Sequence, residues 1–109
     1  MNIVENDLEK LIEICKTHSV ERITVFGSIL SDKFSKNSDI DFLIKFKGVD
    51  LFEYFDNYLD LKNKLENLFD RNIDIIEEQT LRNPYLIASI DRNKKLLWKK
   101  NKINSCNSG

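Results

Sequence analysis

Three aspartates and one glycine–serine step carry the residue types needed for metal-assisted phosphate chemistry. Asp39 and Asp41 are separated by Ile40. In an extended strand, residues two apart project from the same side, about 6.5–7 Å apart along the backbone. The two carboxylates can therefore converge on one point in front of a sheet. Asp74 lies between Ile73 and Ile75. If those isoleucines are buried, Asp74 faces the same side as the pair. Three carboxylates on one face repel, and at least one is driven toward its protonated form unless a cation intervenes. A hard divalent ion relieves this: Mg²⁺ prefers oxygen ligands and is commonly held by carboxylates together with substrate phosphates. Gly27-Ser28 supplies the other half. A glycine directly after a buried strand lets backbone approach a ligand closely, and the N–H groups and hydroxyl that follow can bind phosphate oxygens.

The surrounding elements must bring these groups together. Ile23-Thr24-Val25-Phe26 reads as a short buried strand that ends at Gly27-Ser28. Ile40, Phe42, Ile44 and Phe46 alternate with Asp39, Asp41, Leu43 and Lys45, so 39–46 is a strand with one apolar face. The ten residues between Ser28 and Asp39 are enough for the chain to turn back and set the aspartates beside the Gly-Ser. Residues 72–76 give a third strand and 95–98 a last short one. Val4, Leu8, Leu11, Ile12 and Cys15 predict a first amphipathic helix over 3–17. Asp50 is placed to cap a long helix marked by Leu51, Tyr54, Phe55, Tyr58, Leu61, Leu65, Leu68 and Phe69. Pro84 opens a further helix that carries Leu86, Ile87 and Ile90. The order predicts an α/β (α+β) chain: a small mixed β-sheet with helices packed on one face, leaving the aspartate face at least partly open.

Gly27-Ser28, ten residues, then Asp39-Ile40-Asp41 resembles the GSx10DxD signature of the minimal nucleotidyltransferases, in the polymerase-β-like superfamily. Asp74 matches the last acid of that family's triad. The small size is most similar to the MNT antitoxins that pair with HEPN toxins, of the MntA type. The resemblance covers roughly residues 20–100 and implies a polymerase-β-like nucleotidyltransferase fold; residues 1–100 read as a single nucleotidyltransferase domain, and the polar run 101–109 as a C-terminal tail. It implies that Gly27 and Ser28 hold the triphosphate of ATP, and that Asp39 and Asp41 bind two Mg²⁺ ions. Asp74 is implied to share one metal and act near the nucleophile. The implied activity is protein adenylyltransfer: AMP moves from ATP to a hydroxyl, on a tyrosine, of a cognate HEPN RNase toxin, which is thereby silenced. Many relatives follow Gly-Ser with arginines. Here Ile29, Leu30, Ser31 and Asp32 follow, and the nearest bases are Lys33 and Lys36.

Other chemistries fit less well. Seventeen basic residues against eighteen acidic ones leave a net charge of −1, which gives no bulk pull toward nucleic acid or an acidic membrane. No apolar run is long enough to span a bilayer, and the acidic, mixed N-terminus is not a secretory signal. Cys15 and Cys106 have neither disulfide-framework nor zinc spacing, which suits a reducing cytoplasm. His18, the only histidine, falls at a helix-end break and reads as a surface or C-cap residue. The G-x-S-x-G nucleophile elbow is absent. Two further readings stand beside the enzyme. One is a catalytically weak antitoxin that neutralises its toxin mainly by direct binding. The other is transfer to a small molecule, which needs a specificity domain that the sequence does not display.

Overall fold

A computed structural model of the chain describes residues 2–32, 34–35 and 37–100. The readings of Lys33, Lys36, Cys106 and the 101–109 tail lie outside the described residues. At the centre is β2 (Ile40–Phe46), and its period-two pattern folds as predicted: Ile40, Phe42, Ile44 and Phe46 are all buried. A one-residue slip would expose these side chains, each worth about 1.5–3 kcal/mol when buried, and turn Asp41 into the core. The strand register is therefore strongly specified, and with it the side on which Asp41 emerges.

β1 (Val20–Phe26) pairs with β2 antiparallel, with Val25 opposite Phe42 and Phe26 opposite Asp41. It begins three residues before the predicted Ile23. Glu21 and Arg22 obscured its start, because polar side chains at these positions hide a strand whose neighbours Val20, Ile23 and Val25 are buried. β3 (Ile73–Glu77) runs parallel to β2 on its far side. β4 (Lys95–Lys99) pairs antiparallel with β1. The sheet order is β3-β2-β1-β4, a small mixed sheet.

The first helix is two helices rather than one. α1 (Asn2–Asn6) and α2 (Leu8–Thr17) are separated at Asp7, whose φ of −113° and ψ of 22° leave the helical region. Leu11 N still donates to Asp7 O at 2.9 Å, so the break is only a kink. Val4, Leu11 and Cys15 pack with Leu61, Leu65 and Phe69 of α3 (Tyr54–Phe69) and with Ile23, Val25, Phe42 and Ile44 of the sheet, forming one core. Burial pushes the Cys15 thiol up to about 12, so it packs as an inert apolar group.

Asp50 does cap, but it caps the short 3₁₀ turn Leu51–Glu53 ahead of α3, accepting from Phe52 N at 3.0 Å. Leu51 and Phe55, which mark the amphipathic spacing as core or partner-facing positions, are 85% and 65% exposed. The 3₁₀ turn takes Leu51 off the α-helical spiral, and Phe55 lies about 100° round from the core-facing Tyr54. Tyr54 and Tyr58 are structural: Tyr54 packs edge-on against Phe46 and donates to Glu77, and Tyr58 donates to Ile75 O at 3.4 Å. His18 is the C-cap of α2, and it is buried rather than on the surface. Its Nε2 meets Asp60 Oδ2 at 2.6 Å and its Nδ1 meets Ile14 O at 2.7 Å, tying α2 to α3. α4 (Pro84–Asn93) starts with Pro84 and is capped by Asn83, which accepts from Tyr85 N and Leu86 N. Among the described residues, no helix is long and apolar enough to cross a membrane.

Candidate active site

The predicted acids gather at one end of the open sheet face. Asp41 and Asp74 are direct partners across the parallel β2–β3 ladder. Residues in register across a ladder share a face, and here the side between them is the one opposite Ile40, Phe42 and Ile73. Asp39 immediately precedes β2 and is close enough to act on Asp41 electrostatically. Asp41 is the acid that bears the strain. Burial, the charges of Asp74 and Asp39, and a hydrogen bond to Asp74 push its carboxyl from the usual 3.8 up to about 6. Among the described residues, no group of three or more His, Cys, Asp and Glu side chains is already gathered as a metal cage. What stands ready is a contacting pair, Asp41 and Asp74, with Asp39 beside it.

Gly27 is locked to this pair by two independent constraints. Its φ is +87°, in the left-handed region where a side chain is strained. A Cβ at this position would collide with Asp41 Oδ2 and come within 3.3 Å of Asp41 Cγ. The absent side chain is thus the space that the carboxylate fills. Gly27–Leu30 forms a short 3₁₀ turn, anchored by Ile29 in the core, in which Ser28 directly follows the glycine that meets Asp41. Ser31 N closes the turn onto Ser28 O at 2.9 Å.

Sequence reasoning missed Arg71. Its Nη1 donates to Ser35 O and to Ser38 O, both at 3.0 Å, and its guanidinium lies 4.6 Å from the centre of the Phe34 ring. Among the described residues, its Nε is buried without a hydrogen-bond partner. Next to it, Asn72 O accepts from Ile40 N at 3.2 Å. The start of β3 therefore holds the loop that presents Asp39. A basic residue three positions before Asp74 was the available signal, but nothing in the sequence links it to a loop more than 30 residues away. Arg71→Gln is expected to release both carbonyls and to speed amide exchange across residues 34–39 by about tenfold or more, at nearly unchanged global stability. Hydrogen-exchange mass spectrometry reads this directly. Unchanged exchange there would mean the loop is held without the guanidinium.

A cleft of about 500 Å³ continues along the same face, one pleat beyond Asp41. Thr24, Leu43 and Leu96 form its floor and Ile87 and Lys94 one wall. At its far end Arg22 grips Glu78 by two bonds, Nε–Oε2 at 2.9 Å and Nη2–Oε1 at 2.6 Å. α4 thus borders the open face, whereas α2 and α3 cover the other.

The donor set fits a hard divalent cation. It is all oxygen, it is concentrated on one face, and it holds one carboxyl near 6 through burial and the neighbouring negative charges. Asp39, Asp41 and Asp74 could hold such an ion, with Gly27-Ser28 adjacent for phosphate oxygens.

Comparison with known proteins agrees with this geometry. The family model for polymerase beta, nucleotidyltransferase, matches residues 9–103. Two proteins of Methanocaldococcus jannaschii, each provisionally named a protein adenylyltransferase, are 29% and 30% identical to the chain. The first match covers 77% of this chain and 91% of the relative, the second 72% and 78%. A solved structure provisionally described as a minimal nucleotidyltransferase superposes with a TM-score of 0.66 at 29% identity, covering 84% of this chain and 89% of that one. A chain of the solved complex of a tri-AMPylated Shewanella oneidensis HEPN toxin with an MNT antitoxin shares the fold, at a TM-score of 0.61 and 18% identity over 93% of this chain and 76% of that one. The strand order, the Gly27–Asp41 interlock and the extent of the family match lead to one assignment: the chain belongs to the polymerase beta nucleotidyltransferase family.

Proposed function

We propose that the chain is a Mg²⁺-dependent protein adenylyltransferase that acts as the antitoxin of a HEPN-type toxin. The observation that carries this reading is the carboxylate of Asp41 seated where Gly27 lacks a side chain, in register with Asp74. It couples a phosphate-approaching turn to a pair of metal-competent acids at a single point. The provisional names of the archaeal relatives support adenylyl transfer, and the toxin complex of the same fold supports the class of acceptor. An exposed apolar stripe, Leu51, Phe52 and Phe55, is the type of surface that marks a protein partner rather than a small-molecule acceptor.

In this reading Gly27 and Ser28 bind the triphosphate of ATP, and Asp39 and Asp41 hold the metal ions. Asp74 shares one ion and receives the proton from the attacking hydroxyl. The acceptor oxygen forms a bond to the α-phosphorus, the bond from that phosphorus to the α–β bridging oxygen breaks, and pyrophosphate leaves. When bound, two Mg²⁺ ions supply charge neutralisation of the triphosphate and a lowered pKa for the incoming hydroxyl. Arg71 keeps Asp39 at the end of its loop.

The test is transfer of label from α-³²P ATP, with Mg²⁺, to the product of the neighbouring gene. Wild type is expected to label it and Asp39→Asn to leave it unlabelled. One observation favours the alternative of neutralisation by direct binding: Ile29 after Gly-Ser is buried in the core, and no arginine stands in the turn. If Asp39→Asn still silences the partner at equal stoichiometry, that reading replaces transfer.

A further inference from the structure

A magnesium-bound triphosphate brings negative charge to a face that already carries three carboxylates, and the turn after Gly27 offers no base. The structure assigns this missing cation to Lys94, as the side chain that binds the outer phosphates of the nucleotide. The inference rests on the nucleotidyltransferase reading above and concerns a residue that the sequence motif does not contain.

The sheet register places it. Lys95 pairs with Val25 on β1, and Phe26 pairs with Asp41 on β2. Lys94 precedes Lys95 in an extended conformation, with φ of −85° and ψ of 157°. It therefore lies one position further along, opposite Phe26. The row across the sheet then reads Asp74, Asp41, Phe26, Lys94. Lys94 shares the face of Asp41, because it lines the same cleft as Thr24, Leu43 and Leu96, the row below. Two interstrand steps put its backbone about 10 Å from that of Asp41, with Phe26 alone between them in the row. A lysine side chain can reach phosphates laid over that interval. α4, which ends at Asn93, packs at the 27–30 turn, so Lys94 emerges beside the phosphate-approaching backbone.

The other bases are committed or misplaced, among the described residues. Arg22 is held by two bonds to Glu78. Arg71 holds the carbonyls of Ser35 and Ser38. Lys95 is bound to Glu5 at 2.9 Å. Lys45 is four residues further along β2 from Asp41, and Arg92 is exposed on α4, about 200° round the helix from buried Ile90. Lys94 has a partner too, Asp91 at 2.8 Å, one turn back on α4. Both members of that pair are about half exposed, 46% and 54%. Exposed pairs of this type are worth little, so a polyphosphate can take the ammonium from Asp91. Asp91 then acts as a placeholder for the anion.

Equilibrium binding to the full chain tests this, by titration calorimetry with MgATP and, separately, AMP. Lys94→Gln is expected to weaken MgATP binding by about tenfold and leave AMP binding unchanged, because AMP lacks the outer phosphates. Lys94→Arg is expected to restore MgATP binding. Asp91→Asn is expected to tighten MgATP binding about two- to threefold by removing the competing carboxylate, which tests the assignment even if Lys94→Gln folds poorly. Equal MgATP affinity in wild type, Lys94→Gln and Asp91→Asn overturns the role of Lys94 and leaves the nucleotidyltransferase reading intact. Absence of MgATP binding by wild type overturns both.

Discussion

Asp41→Asn is expected to abolish nucleotidyl transfer and, in the same protein, to raise thermal stability at neutral pH without Mg²⁺. The two effects have one cause. Asp41 is held near 6 by burial and by the neighbouring charges of Asp74 and Asp39, against an ordinary 3.8. The folded state thus binds a proton more tightly than the unfolded state does. By linkage, the cost of ionising this group is absent below about 4, grows between about 4 and 6, and is full above 6. Asparagine removes a carboxylate that is disfavoured in the folded state at pH 7. The group is partly exposed, and solvent screening reduces the gain to about 1–2 kcal/mol, or roughly 5–10 °C in Tm for a domain of this size. The gain should fade as the pH is lowered to 4, where wild-type Asp41 is itself neutral. Transfer should fall by about 10³-fold or more, because metal-based charge stabilisation is worth several kcal/mol. Added Mg²⁺ should raise the wild-type Tm and leave that of the variant nearly unchanged. Melting curves at pH 4 and pH 7.5, with and without Mg²⁺, decide the matter. A variant less stable than wild type at pH 7.5 would remove the repulsion argument.

Gly27→Ala is expected to damage both stability and activity, in contrast to Asp41→Asn. An alanine at φ of +87° costs about 1–2 kcal/mol in backbone strain. The larger effect is on position. The new methyl falls on Asp41 Oδ2, and the carboxylate is the part most able to give way. It must leave the point it shares with Asp74. A misplacement of about 1 Å in a reacting constellation can cost about 10²-fold in rate. We therefore expect a Tm lower by roughly 5–10 °C and transfer reduced by about 10²-fold, with the loss retained at temperatures where the variant is fully folded. That last condition separates displacement of Asp41 from simple unfolding. Full activity in folded Gly27→Ala would mean that Asp41 does not need its present position.

Much of this arrangement was legible in the chain. The alternation of Ile40, Phe42, Ile44 and Phe46 fixes the side on which Asp41 emerges, because a slip costs several buried apolar side chains at once. Asp74 between two isoleucines carries the same information on β3. Helix limits were less legible. Asp7 interrupts the first helix although the apolar spacing continues through it, since periodicity records which face is buried and not whether the backbone stays regular. Leu51 and Phe55 still lie in solvent: Leu51 because the α-helix begins only at Tyr54, and Phe55 because it sits about 100° round α3 from the inward-facing Tyr54.

By itself, the sequence determined the set of acids, the glycine–serine step and the strands that carry them, because each depends on local spacing and on which side chains avoid water. Only the tertiary structure decided what lies beside what. It showed that the space left by the missing side chain of Gly27 is occupied by Asp41, that Arg71 reaches back to the carbonyls of Ser35 and Ser38, and that the extended Lys94 precedes Lys95, which pairs with Val25 one place before the row of Asp41. These are relations between strands and loops far apart in the chain. They are set by ladder register and packing, which no local pattern of residues encodes.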